Sequence, residues 1–205
     1  MSLPEPWDLS HTALLTIDLQ NDFLHPQGAY GRAGQGNEGI KVLPERIAPL
    51  ASALKTRGGY YISAQFTLVP DATGEPLISP HLKRLRPFLG KGDFAPASFG
   101  HSLVDSLAPA DFTIEKVAYS AFYQTRLEYI MKAININRLI VGGIVTNGGV
   151  ASTLRDAHLR DIDTIMLSDG CAAFDQTVHD ATLVSLSTVT HVMTCSDVLS
   201  WIEKS

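Results

Sequence analysis

The sequence has no long hydrophobic run, no cluster of basic residues and no low-complexity tract. Its apolar runs are strand-sized and far shorter than the roughly 20 residues needed to cross a bilayer, so we expect no membrane partner. The 16 basic and 21 acidic residues are spread along the chain and give a net charge of −5. This balance argues against binding to a nucleic-acid backbone. We therefore expect a globular protein that binds a small molecule.

Cysteine is scarce, with only Cys171 and Cys195 in 205 residues. Two cysteines cannot form the disulfide framework of a small secreted domain. The first residues, MSLPEPWDLSHT, lack the basic stretch and apolar core of a secretory signal. We expect both thiols to be reduced and the protein to be cytoplasmic.

Strand-like runs alternate with helical patterns along the chain, and the length predicts one domain over residues 1–205. Apolar, β-branched strands separated by helices favour a doubly wound α/β fold. Such a fold has a mostly parallel six-stranded sheet, helices on both faces and a Rossmann-type three-layer arrangement. The predicted strands are Thr12–Ile17, Tyr60–Ala64, Phe112–Lys116, Arg138–Val141, Thr164–Leu167 and His191–Thr194.

Helical spacing of apolar residues indicates the intervening helices. They are predicted from Leu43 to Arg57, and over residues 127–134, 147–159, 177–187 and 196–204, the last capped by Ser196. Residues 70–109 contain six prolines, too many for a continuous helix. We expect this segment to run over the active-site edge as loops and short helices.

Polar side chains stand where the predicted strands end, and ligands of such sheets bind at that edge. Asp18 follows the first strand directly, and burial there would raise its pKa and suit it to proton transfer. Lys116 ends the third strand and could pair with Asp18. Plainer roles stay open, because Asp18 could cap a turn, Lys116 could be exposed, and Gln65 at the second strand could bind either substrate or loop backbone.

The fourth strand runs into GGIVTNGG, residues 142–149. The glycines permit close backbone approach, and free N–H groups at the following helix start would favour a developing negative charge. No Gly-Lys-Ser/Thr follows, so this is not a phosphate loop.

Four segments together resemble the isochorismatase-like (cysteine) hydrolases: TIDLQNDF, EKVAYSAFYQT, GGIVTNGGVASTLRDA, and SDGCAAF with His179 shortly after. The resemblance spans Thr12 to Ile202 and is weakest between Pro70 and Pro109. It implies catalytic roles for Asp18 and Lys116, and it puts Gly149 where most members carry a nucleophilic cysteine.

The resemblance also implies an oxyanion site and the substrate contacts. The N–H groups of Val145 and Gly149 would hold an oxyanion, after a cis bond between Ile144 and Val145. The substrate-binding residues are expected to be Phe23, Gln65, Tyr119, Phe122, Thr146 and Asn147. Some members bind zinc through an aspartate and histidines after the second strand. Residues 65–71 contain no paired histidines, so we expect no metal and no other cofactor. A homodimer or homotetramer is expected from the same resemblance.

Glycine cannot act as a nucleophile, and this leaves three hypotheses. The first is enol-ether hydrolysis of the isochorismatase type, with Asp18 as proton donor. Members with that activity also have glycine here, but they usually have Ala-His where this chain has Thr146-Asn147. The second is hydrolysis of an amide or imide by water, with Asp18 as general base. The third is a non-catalytic binding or assembly module that retains the fold.

Overall fold

The computed structural model describes residues 7–205. Its centre is a six-stranded sheet in the order β3-β2-β1-β4-β5-β6, with every neighbouring pair parallel. The strands are β1 (Thr12–Ile17), β2 (Tyr60–Phe66), β3 (Phe112–Lys116), β4 (Arg138–Ile144), β5 (Asp163–Ala172) and β6 (His191–Met193). The doubly wound parallel sheet predicted from the sequence is confirmed. Residues 1–6, which belong to the predicted domain 1–205, lie outside the described residues.

The strand order reverses at the centre of the sheet, between β1 and β4. The chain builds outward from β1 to β2 and β3, then returns to β4 on the other side of β1. Loops that leave β1 and β4 diverge from such a point and open a crevice at the carboxyl ends of the strands. The fold therefore puts its natural binding crevice next to Asp18 and residues 142–149.

Three strands run further than their sequence patterns indicate. β2 continues to Phe66 and β4 to Ile144, while β5 continues through Ser168 to Ala172. In β5 the register shifts, because Val141 pairs with Met166 but Gly143 pairs with Cys171. Polar and glycine residues in SDGC are typical of a turn, yet here they form an irregular strand that pairs with the glycines of β4.

Nine α-helices surround the sheet within residues 7–205. They are α1 (Asn21–Leu24), α2 (Ala29–Arg32), α3 (Glu38–Lys41), α4 (Leu43–Thr56), α5 (Pro80–Leu85), α6 (Leu127–Ala133), α7 (Ala151–His158), α8 (Gln176–Leu186) and α9 (Cys195–Lys204). The predicted cap of α9 at Ser196 is wrong. Thr194 caps this helix, since its hydroxyl accepts the Asp197 N–H at 3.1 Å.

The helices cover both faces of the sheet, as predicted. Along β1, Leu14 packs into a core formed with α4 and α9. Leu15 and Ile17, which point the other way, pack into a second core with α6 and α7. This alternation follows from the two-residue period of a strand. All six residues of β1 are buried, as expected for a central parallel strand.

Residues 67–111 form the irregular excursion predicted from the prolines. The segment holds α5 and a short 3₁₀ turn at Asp105–Leu107. Its Leu68, Leu89 and Phe94 pack with Tyr30 in a third core cluster, which lies beside the crevice. None of the helices within residues 7–205 has the length and apolar character needed to cross a membrane.

Candidate active site

A cleft of about 310 Å³ opens at the switch point of the sheet. Its polar groups include Asp18 from the end of β1 and Lys116 from the end of β3, and Gly149 lies beside them after β4. Three segments far apart in the sequence thus meet because parallel strands share one carboxyl edge. Residues of α5 and of the loops on either side of it form the outer wall: Ser79, His81, Leu82, Leu85, Arg86 and Leu89.

Asp18 and Lys116 form a buried ion pair at the bottom of the cleft. Lys116 Nζ lies 2.8 Å from Asp18 Oδ2, and the two side chains are 1% and 8% exposed. Nζ also donates to the carbonyl of Ala118 and lies 5.6 Å from the centre of the Phe66 ring. The predicted pairing is confirmed, and the alternative of an exposed lysine is wrong.

The Asp18 carboxyl is held in a condition suited to proton transfer. Burial raises its pKa, while the Lys116 ammonium acts in the opposite direction. Its Oδ1 atom is buried and has no hydrogen-bond partner in the part of the chain that the structure describes. Asp18 also has φ of +59°, a left-handed conformation that costs a non-glycine residue energy. This bend turns the chain out of β1 and into α1.

The residues after Asp18 in TIDLQNDF hold the wall of the cleft. The Gln20 side chain donates to the carbonyls of Phe66 and His101 and accepts the Phe66 N–H. The Asp22 carboxylate accepts the N–H of Ala29 at 2.8 Å and that of Phe94 at 2.6 Å. These bonds fasten α2 and the excursion to the end of β1, a role that the sequence pattern did not indicate.

The glycine-rich segment after β4 forms a single π-helical turn, Thr146–Val150. The Ile144–Val145 peptide bond is cis, which confirms the expectation from the resemblance. The Val145 carbonyl accepts the N–H groups of Gly148 and Val150, whereas the Val145 N–H donates to no backbone carbonyl within residues 7–205. Val145 also lines the cleft.

Gly149 is enclosed by its neighbours. A β-carbon at this position would lie 3.4 Å from Asp18 Oδ2, and only 2.9 Å from both the Ile144 carbonyl oxygen and Ile17 Cγ2. A side chain at residue 149 would thus point at the Asp18 carboxylate, as a nucleophile should. The backbone here fits glycine more closely than a larger residue.

Thr146 and Asn147 do not line the cleft, although the sequence predicted substrate contacts for both. Thr146 is fully buried, and its hydroxyl lies 2.7 Å from His179 Nδ1. Asn147 is exposed. The π turn directs Val145 and Gly149 towards the cleft and Thr146 towards α8. The Thr146–His179 hydrogen bond therefore stabilises the turn on the side away from the cleft.

Gln65 and Phe122 also lie outside the cleft. β2 continues past Gln65, and Phe66 lines the cleft instead. Successive side chains of a strand face opposite ways, so Gln65 points to the other face. Phe122 is 5% exposed and packs in the core with α6 and α7, with the Arg160 guanidinium 4.8 Å from its ring centre.

Phe23 and Tyr119 do line the cleft, and their role in substrate binding stays a prediction. Six aromatic rings contribute to the cleft walls. Sequence reasoning missed four of these rings because they come from separate segments with no common motif. The aromatic lining is Phe23, Tyr30, Phe66, Phe94, Tyr119 and Phe174. Tyr30 and Phe174 stack with ring centres 5.7 Å apart and planes inclined by 8°. Such walls favour a planar, partly apolar ligand.

Neither cysteine lies in the cleft. Cys171 belongs to β5 rather than to a loop after it, and Cys195 begins α9. Both are buried and free of disulfides. Burial raises the pKa of both thiols, that of Cys195 to about 12, so neither forms the thiolate that nucleophilic attack requires.

Within residues 7–205, no three histidine, cysteine, aspartate or glutamate side chains are grouped so that they could hold a metal ion. The only histidine lining the cleft, His81, is exposed on α5.

Known proteins are similar to this chain in sequence and in fold. Ureidoacrylate amidohydrolase RutB of Methylorubrum extorquens is 34% identical over 179 residues, which cover 81% of this chain and 72% of that protein. A cysteine hydrolase from Pseudomonas syringae pv. phaseolicola shares the fold with a TM-score of 0.84 at 24% identity, covering 100% of this chain and 99% of that one. N-carbamoylsarcosine amidase from Thermoplasma acidophilum shares it with a TM-score of 0.70 at 21% identity, covering 90% and 96%.

The family model that matches this chain covers the whole sheet. Residues 12–197 match the isochorismatase domain, which begins at β1 and extends into α9. The chain therefore belongs to the isochorismatase family and is a hydrolase.

Proposed function

We propose that this protein hydrolyses the C–N bond of a small amide, imide or ureido compound, with water as nucleophile and Asp18 as general base. The observation that carries the proposal is the state of Asp18. Its carboxyl is buried beside Lys116, has an unpartnered Oδ1, and faces Gly149, which supplies no nucleophile of its own. A base with a raised pKa is matched to water activation near neutral pH.

In this mechanism the water oxygen bonds to the substrate carbonyl carbon while one water proton passes to the Asp18 carboxylate. The carbonyl electrons move to its oxygen, which the Val145 N–H stabilises. The tetrahedral intermediate then collapses, the C–N bond breaks, and Asp18 returns its proton to the departing nitrogen. Lys116 keeps its charge throughout and holds the carboxyl in position.

The similarity to an amidohydrolase supports C–N cleavage over other hydrolyses. The relative at 34% identity is named a ureidoacrylate amidohydrolase. The unused Val145 N–H also favours acyl chemistry, because only a carbonyl addition develops an oxyanion that needs such a donor.

Enol-ether hydrolysis is the second candidate, and the raised pKa of Asp18 favours it. A protonated Asp18 would transfer its proton to the vinyl carbon, and water would attack the resulting oxocarbenium ion. The hemiketal then breaks down to a ketone and an alcohol. This route needs neither a thiol nor an oxyanion donor, so Gly149 would be no disadvantage.

A hydrolysis panel separates the two candidates. Wild type and Asp18→Asn are tested on ureido compounds, primary amides, cyclic imides and isochorismate, with detection of ammonia, of the ring-opened imide and of pyruvate. Release of ammonia or opening of the imide ring by wild type and not by Asp18→Asn supports the proposal. Release of pyruvate alone supports the enol-ether reaction, and no turnover of any compound supports the non-catalytic module.

The pH profile of kcat/KM gives an independent check, because the two roles of Asp18 require opposite protonation states. A general base must be ionised, so the rate falls as the pH decreases through the raised pKa of Asp18. A general acid must be protonated, so the rate falls as the pH increases through the same pKa. A cytoplasmic location and a homodimeric or homotetrameric assembly also belong to this proposal.

A further inference from the structure

We propose that Arg86 and Tyr30 form a carboxylate-binding subsite in the outer wall of the cleft, so that the substrate is a small planar carboxylic acid. This inference rests on the proposed hydrolytic function, which it deepens by naming the substrate class. The charged side chains that line the cleft support the proposal. Asp18 and Lys116 neutralise each other at 2.8 Å, which leaves Arg86 as the permanently charged group among the lining residues that has no counter-charge.

Arg86 is a half-buried cation without a carboxylate partner. Its Nε donates to the Tyr30 hydroxyl at 2.9 Å and its Nη1 to the Leu85 carbonyl at 2.9 Å. No aspartate or glutamate oxygen of residues 7–205 lies within 4.0 Å of it. A guanidinium presents donors in a planar fork that fits a carboxylate. Nε and one N–H of Nη1 are engaged, so the second N–H of Nη1 and both N–H groups of Nη2 are left for a ligand.

Tyr30 supplies a second donor beside Arg86. Its hydroxyl accepts from Arg86, and its own proton meets no acceptor within the described residues. Burial raises the pKa of the Tyr30 phenol, so the hydroxyl keeps its proton at neutral pH. The O–H of Tyr30 and Nη2 of Arg86 can therefore bind the two oxygens of one carboxylate.

Both donors are held in place by the structure around them. Tyr30 is 7% exposed and stacks on Phe174, with Phe88 edge-on at 5.0 Å. Arg86 ends α5, where its N–H donates to the Leu82 carbonyl, and Pro87 restricts its backbone. A preorganised pair of donors loses little entropy on binding.

The aromatic walls and the two polar ends define the ligand. A carboxylate at Arg86 and Tyr30 would leave the planar body of the ligand between the rings and its scissile group facing Asp18. The substrate class is thus a small acid in which an unsaturated or aromatic body joins the carboxylate to the hydrolysable group.

The test uses benzoate and its neutral analogue benzamide as probes, with equilibrium binding measured by isothermal titration calorimetry. Wild type should bind benzoate more tightly than benzamide. Arg86→Gln should weaken benzoate binding about tenfold or more, since it removes hydrogen bonds to a charged group, and should leave benzamide binding unchanged. Arg86→Lys, which keeps the charge but not the fork, should retain part of the preference.

Arg84→Gln is the matched control, because Arg84 lies exposed on the same helix and does not line the cleft. It should bind both probes as wild type does. The inference is overturned if wild type shows no preference for benzoate, if Arg84→Gln has the same effect as Arg86→Gln, or if Arg86→Gln weakens both probes equally. These experiments require no turnover. A missing benzoate preference together with Asp18-dependent ammonia release would reject the subsite and leave the proposed function standing.

Discussion

Replacing Lys116 should show how much its buried ion pair with Asp18 contributes to the free energy of unfolding. In Lys116→Met the methionine fills most of the space of the lysine stem, but Asp18 remains buried with no cation at 2.8 Å from its Oδ2. An uncompensated buried carboxylate is unfavourable, so we expect Asp18 to take up a proton on folding. The variant should therefore be destabilised, and the loss should depend on pH.

The protonation of Asp18 limits the size of this loss. Protonating a carboxyl with an unfolded-state pKa of about 3.9 costs about 1.4 kcal/mol per pH unit above that pKa, or about 4 kcal/mol at pH 7. This agrees with the roughly 3–5 kcal/mol lost when one partner of a buried pair is removed. At about pH 5 the same calculation leaves about 1.5 kcal/mol.

The sign of the pH dependence follows from the direction of the Asp18 pKa shift. The folded-state pKa is raised, so the folded protein binds the proton more tightly than the unfolded chain. The stability from this group is present at low pH and is lost as the pH rises from the unfolded pKa through the folded one. Loss of Lys116 raises the folded pKa further, so the variant loses stability up to a higher pH than wild type does.

Urea denaturation between about pH 5 and about pH 8 measures these free energies of unfolding. The control is Lys132→Met, since Lys132 is exposed on α6 and should change stability by less than about 0.5 kcal/mol. The double variant Asp18→Asn/Lys116→Met, which has no buried charge, should recover most of the loss. A loss that is the same at both ends of the pH range, or no larger than that of Lys132→Met, would refute the buried-pair reasoning.

Three further predictions concern other parts of the molecule. Gly149→Cys should cost about 1–3 kcal/mol of stability, because its β-carbon would lie 2.9 Å from the Ile144 carbonyl oxygen. In the folded variant the new thiol should react with iodoacetamide faster than the buried native cysteines, and equal rates by mass spectrometry would show that the site does not activate a nucleophile. Asp22→Asn replaces one carboxylate oxygen that accepts the N–H of Ala29 or Phe94. It should lower the free energy of unfolding by about 1–3 kcal/mol, measured by urea denaturation. An unchanged midpoint would show that these two bonds do not fasten α2 and the excursion to the end of β1. Light scattering at micromolar concentration should show a dimer or tetramer, and a monomer would disprove the expected assembly.

The local pattern of the sequence predicted the sheet and placed Asp18 and Lys116 at one edge of it. Apolar runs separated by helical periods predict parallel strands, and parallel strands bring their carboxyl ends to one edge. Asp18 and Lys116 stand directly at two such ends, so their meeting follows from the strand positions. The same reasoning holds for the segment from Val145 to Gly149, which directly follows β4. The resemblance, rather than the pattern, supplied the expectation of a cis bond and of glycine in place of a nucleophile.

Only the tertiary structure decided what surrounds the pair. β2 extends two residues past its predicted end at Ala64, and Phe66 rather than Gln65 lines the cleft. Arg86 reaches the wall because the excursion packs on Tyr30 and is fastened to Asp22. Contacts between segments so far apart in the chain leave no local period in the sequence, since hydrophobic patterning records which face of an element is buried but not which distant loop covers it. The positions of the proposed catalytic residues thus follow from local sequence, whereas the positions of the residues proposed to select the ligand depend on long-range packing.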